Sequence, residues 1–185
     1  MQRITAVKHD EAVGKTKELL DGVKAKLGFV PNIMATMASS PSVLEGYLAF
    51  SGALGTSLNA KLREQIALTV AEINGCGYCA AAHTAIGKMS GLDEAEISSA
   101  RRGAAGDARV EAALKFSRAL VLSRGKVSTA EYEAVRDAGY SEKEISEIVA
   151  NVALNILTNY FNITAKTQVD FPAVEFPLAS NSAIA

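Results

Sequence analysis

Apolar residues recur at three- and four-residue spacing along most of the chain, the period of helices that turn one face to a core. Residues 9–26 form an amphipathic helix, with Val13, Leu19, Leu20, Val23 and Leu27 as its apolar positions and Gly28 as its stop. Residues 29–33 are extended, because Pro31 drives Val30 away from helical angles. Ser40 caps the next helix, Pro41 takes its first position, and Val43, Leu44, Tyr47, Leu48 and Phe50 carry it to near Gly55. Asn59 caps a helix running to about Ile73 that is apolar on two sides. Leu62, Ile66, Val70 and Ile73 form one side; Ala67, Leu68 and Ala71, headed by Glu64, form the other. A helix apolar on both sides is buried. Glu64 is therefore a carboxylate pressed against apolar surroundings, either a functional group or half of an ordinary buried pair with an arginine.

The second half is punctuated by caps. Asp93 with Glu96, Ser128 with Glu131 and Ser141 with Glu144 have the spacing at which two side chains satisfy each other's free N–H groups. A helix at about 107–124 presents Val110, Leu114, Leu120 and Val121, and a last helix runs from about 142 to 164. Residues 171–185 form an extended tail, marked by Phe171-Pro172 and Phe176-Pro177, that can pack on a neighbouring molecule. No segment has strand character, so the fold class is all-α. Residues 148–165 lack charge and are long enough to span a bilayer, but Asn151, Asn155, Asn159 and Asn162 are costly in hydrocarbon. That segment is expected to be a buried helix of a soluble protein. Asn151, Asn155 and Asn159 share one face, where they either line a cavity, cross an interface, or satisfy backbone groups in a helix contact, the preferred assignment.

Composition narrows the class. A chain of 185 residues, 49% apolar and 21% charged, is one domain with a core that needs no disulfide staples. A net charge of −1 gives no electrostatic support to a nucleic-acid or anionic-membrane partner. Two cysteines are too few for a secreted disulfide framework, and charged residues soon after Met1 leave no secretory signal visible. The expected location is cytoplasmic.

Both cysteines and one of the two histidines fall within residues 74–83, Asn-Gly-Cys-Gly-Tyr-Cys-Ala-Ala-Ala-His. On a helix over 76–90, Cys76, Cys79, Ala80, His83, Ile86 and Gly87 share one stripe. Asn74-Gly75 marks a helix end, which puts the cysteines in the first turn of the next helix, where free N–H groups favour thiolates. Zinc bound by Cys76, Cys79 and His83 needs a fourth ligand from Glu64, His9 or water, and no second ligand pair exists. A c-type haem is excluded, because residue 80 is alanine. Two core cysteines beside a core histidine are the plain structural alternative. A redox-active dithiol is favoured. One thiolate attacks an oxidant, the other thiol closes a disulfide, and an external reductant reopens it. His83 takes up a proton or stabilises the thiolate, and Glu64, if adjacent, orients it.

Leu62-Arg63-Glu64-Gln65 followed by Cys76-Gly77-Tyr78-Cys79 and His83 resembles the AhpD-like alkylhydroperoxidases of the carboxymuconolactone decarboxylase superfamily. Val30-Pro31-Asn32-Ile33 and the Asn-bearing final helix resemble its peroxidase-related branch, so the likeness extends over most of the chain. The resemblance implies one AhpD-like helical domain over residues 1–185, assembled into homo-oligomers, commonly trimers or hexamers. It implies peroxide reduction with Cys79 attacking, Cys76 resolving, and Glu64 and His83 in a proton relay. It also implies no cofactor beyond the redox-active disulfide, no bound metal, and an external thiol reductant, either a lipoyl-bearing adaptor or a thioredoxin-like protein. The best-studied branch has histidine where this chain has Tyr78, a phenol that passes on a hydrogen bond but is a poor base at neutral pH. The relay is then shorter or rerouted, with Tyr78 its marginal member. The competing functions are a redox-sensing or protein-interaction module, a metal-binding protein, and a decarboxylase that dispenses with both cysteines.

Overall fold

The computed structural model describes residues 1–178. Among them are nine α-helices, one 3-10 turn and no strand. The helices are α1 (Gly14–Leu27), α2 (Asn32–Met37), α3 (Pro41–Leu54), α4 (Ala60–Asn74), α5 (Gly77–Met89), α6 (Glu94–Arg101), α7 (Ala108–Leu122), α8 (Thr129–Asp137) and α9 (Glu142–Ala165). The three capping boxes form as expected, starting α6, α8 and α9. Asn59 accepts from the Leu62 N–H at 2.9 Å to start α4, an exchange typically worth ~1 kcal/mol over alanine.

Two expected element bounds are corrected by the structure. The first helix begins at Gly14, not His9, because residues 9–11 close a separate 3-10 turn and Val13 is an extended, exposed N-cap. Asn32 and Ile33 are helical, since Pro31, itself extended, acts as the N-cap of the short α2. The described part of the tail packs against its own chain. Phe171 meets Tyr78 edge to face at 5.7 Å, and Phe171, Val174 and Phe176 join the core cluster around the cysteines. The expected tail also includes residues 179–185, which lie outside the described residues.

α4 is the central helix, packing against α5, α6, α7 and α9. Leu62, Ile66, Leu68 and Val70 face one apolar cluster with α6 to α9, and Ala71 joins a second cluster built by α1, α2, α3, α5 and the tail. The expected second face is corrected here: Leu68, grouped with Ala67 and Ala71 by spacing, packs in the first cluster, and of the three only Ala71 joins the second. A buried ion pair ties the tail down. Arg101 Nε donates to Glu72 Oε2 at 2.9 Å and its Nη2 donates to the Glu175 carbonyl at 2.8 Å, while the Leu178 N–H donates to Glu72 Oε1 at 2.9 Å. α9 carries the asparagines inward, and no helix among the described residues is long and apolar enough to cross a membrane.

Candidate active site

α4 ends at Asn74, and the left-handed φ of 73° at its C-cap Gly75 lets the Cys76 N–H reach back to the Ala71 carbonyl at 2.9 Å. Only Gly75 and Cys76 separate α4 from α5, so the reversal delivers the cysteine motif directly against the central helix. Cys76 is the N-cap of α5, and its Sγ accepts from the Cys79 N–H at 3.3 Å. Cys79 lies in the first turn, and both thiols are buried and unbridged.

The two sulfurs differ in acidity. Cys79 is lowered to about 7, first by its hydrogen bond with Cys76, then by the charge of His83 and the amides of Asn162 and Asn159, against the opposing effect of burial. Cys76 is pushed up, because it holds the proton shared with Cys79 and is itself buried. The helix start, expected to favour both thiolates, therefore does not decide which sulfur carries the charge. The groups around Cys79 do.

One turn on, His83 Nδ1 lies 2.7 Å from Glu64 Oε2. Burial pulls the imidazolium down, but the Glu64 charge and hydrogen bond, with Cys79 beyond, raise the histidine above its ordinary value. Glu64 thus meets an imidazole where the sequence pattern placed it against apolar surroundings. The buried carboxylate–arginine pair on this helix is Glu72 with Arg101. Tyr78 points away from the relay. Its hydroxyl accepts from the Ile33 N–H at 3.2 Å, and burial, with Asp170 nearby, raises the phenol. His9 pairs with Asp10 and Asp21 near α1 and takes no part. Among the described residues no group of three His, Cys, Asp or Glu side chains is placed to hold a metal ion.

Two cavities meet at His83, Tyr47 and Thr158. One, about 240 Å³, has Cys79 in its wall and is otherwise mostly apolar, with Phe29, Ile33, Met34, Ile86 and Phe171. The other, about 150 Å³, lies on the Glu64 side and is more polar than the first, with Arg63, Ser51, Asn151 and Asn155 beside Leu54 and Ala67 in its wall. A larger surface cleft near Arg109 and Glu144 contains none of the thiols or histidines.

The asparagine stripe divides its work. Asn151 donates to the Glu147 carbonyl and Asn155 to the Asn151 carbonyl, both at 2.8 Å, so they satisfy backbone groups of their own helix while lining the polar cavity. Asn162 donates Nδ2 to Cys79 Sγ at 3.3 Å. Sequence reasoning did not single out Asn162 as a site residue. The signal was its place three residues after Asn159, on the stripe of Asn151 and Asn155.

Residues 41–122 match the sequence model of the carboxymuconolactone decarboxylase family. A search of curated proteins returned no match. Solved structures are similar over nearly the full chain. A peroxidase-related protein with an alkylhydroperoxidase AhpD core, from Ralstonia eutropha, is 24% identical with a TM-score of 0.81, covering 91% of this chain and 92% of that one. A peroxidase-related protein from a Silicibacter species is 27% identical with a TM-score of 0.76, covering 89% and 91%. A debrominase in complex with 2,3,4-tribromopyrrole is 20% identical with a TM-score of 0.77, covering 90% and 91%.

Proposed function

We propose that this chain, whose residues 41–122 match the carboxymuconolactone decarboxylase family and whose fold is that of AhpD-core proteins, is a thiol-dependent peroxidase working through Cys76 and Cys79. The observation that carries this is the acidified Cys79 thiol in the wall of an apolar cavity, one turn from an imidazole charged by Glu64 at 2.7 Å.

The Cys79 thiolate attacks the terminal oxygen of a hydroperoxide. An S–O bond forms, the O–O bond breaks, and Cys79 becomes a sulfenic acid. The departing alkoxide takes a proton from the His83 imidazolium and leaves as an alcohol. Cys76, which keeps its proton until then, attacks the Cys79 sulfur, forming the disulfide and releasing water. A dithiol reductant, lipoyl-borne or thioredoxin-like, supplies the two electrons that reopen it. Glu64 holds His83 in its charged, oriented form, and the polar cavity behind the pair gives the proton a route to solvent. Tyr78 shapes the wall and transfers no proton. Assembly into trimers or hexamers belongs to the same proposal.

The test is peroxide turnover with several dithiol reductants. Wild-type protein is expected to form one intramolecular disulfide per chain and turn over, and Cys79→Ser is expected to be inactive. Stoichiometric oxidation without turnover under every reductant makes the pair a sensor. Activity that survives loss of both cysteines points to decarboxylase-type chemistry.

A further inference from the structure

Cys79 meets the last helix at two carboxamides. Asn162, 3% exposed, donates Nδ2 to the sulfur at 3.3 Å. Asn159, fully buried and one turn earlier, has its Oδ1 held by Asn74 Nδ2 at 2.9 Å. That contact commits the carbonyl end of Asn159 and leaves its Nδ2 with no hydrogen-bond partner. Asn162 Oδ1 is likewise unpartnered, so the sulfur alone orients that amide. Buried donors without partners are uncommon and call for a physical reason. A neutral thiol is a weak acceptor, whereas a thiolate accepts several strong hydrogen bonds. The geometry points to Asn162 and Asn159 as positioning residues that hold the Cys79 sulfur as an anion, with Asn74 fixing the direction in which Asn159 presents its N–H.

The cradle explains why a buried amide donor, Asn159 Nδ2, is left without a partner on the helix whose Asn162 donates to the more acidic sulfur. The anion is stabilised from α9, and Cys76, at the helix N-cap, is left to keep its proton. Asn74 is the last residue of α4, so the turn that delivers the cysteines also sets the amide facing them. This inference rests on the thiolate role given to Cys79 above, but its test needs no peroxide.

In the Cys76→Ser protein only one thiol titrates. The pH dependence of its alkylation by iodoacetamide is expected to shift upward by about one to two pH units in Asn162→Leu, the effect of losing one hydrogen bond to a charged group. Asn159→Leu is expected to shift the midpoint in the same direction. Asn74→Ala, which touches neither sulfur, is expected to do so by a smaller amount. A purely structural role changes stability or the limiting rate and leaves the midpoint where it was. In unsubstituted protein, the side-chain amide resonances of Asn159 and Asn162 are expected to move with the Cys79 titration and to stay flat in Cys79→Ser. That measurement decides the matter even if a leucine variant fails to fold. An unmoved midpoint in folded variants, or flat amide resonances in the unsubstituted protein, overturns the cradle. A moved midpoint in a protein without peroxide turnover leaves the cradle standing and removes the peroxidase.

Discussion

Glu64→Gln separates the charge of the carboxylate from its shape. Glutamine can still accept a hydrogen bond from His83 Nδ1, so the ring stays oriented while the negative charge goes. Opposite charges about 4 Å apart at an effective dielectric of about 20 attract by about 4 kcal/mol, equivalent to about three pH units. The two side chains remain 22% and 15% exposed, which admits some water, and the retained hydrogen bond offsets part of the loss. We expect His83 to fall by about one to two pH units, because burial then dominates a ring that Glu64 had held above its ordinary value. With His83 neutral at pH 7, the Cys79 thiol should rise from about 7 by about one unit. The assay is a proton NMR titration of the imidazole, assigned in a His9→Gln background, beside the alkylation profile of Cys79. The raised histidine also stabilises the fold fully below its unfolded value, a contribution lost as pH rises through its folded value. The variant should lose that slope. A His83 titration that stays put or rises, or a Cys79 profile unchanged by the substitution, refutes the coupling.

Arg101→Ala is expected to destabilise the protein by about 3–5 kcal/mol in urea unfolding, because it strands the buried Glu72 carboxylate and frees the Glu175 carbonyl. A loss below about 1 kcal/mol means the tail does not depend on this pair. Glu144 is held at about 2 by hydrogen bonds from the Ser141 N–H and hydroxyl and by Arg109. The stability it contributes is present above the ordinary carboxylate value and fades as pH falls towards 2. The gap between wild type and Glu144→Ala in unfolding midpoint should therefore be full at pH 7 and closed near pH 2; a gap independent of pH contradicts it.

Periodicity and local chemistry made most of the helical order legible. Asn59, Asp93, Ser128 and Ser141 are caps because their side chains reach N–H groups three residues away, a distance fixed by the helix itself. The break at Val13 was invisible, since an apolar residue at helical spacing looks the same whether it faces the core or the solvent. α2 was hidden for a related reason. The restriction that Pro31 imposes acts on the residue before it, and says nothing against a helix beginning after it.

By itself the sequence determined the all-helical class, the place of the caps, and the gathering of Cys76, Cys79 and His83 on one ridge, because all of these are set by spacing within a single helix. Only the tertiary structure decided that Glu64 meets His83, that Asn162 donates to the Cys79 sulfur, and that the tail closes over its own chain. These contacts join residues 19, 83 and 106 positions apart. Which polar group faces another across a packed core depends on how the helices cross, and no local period records that.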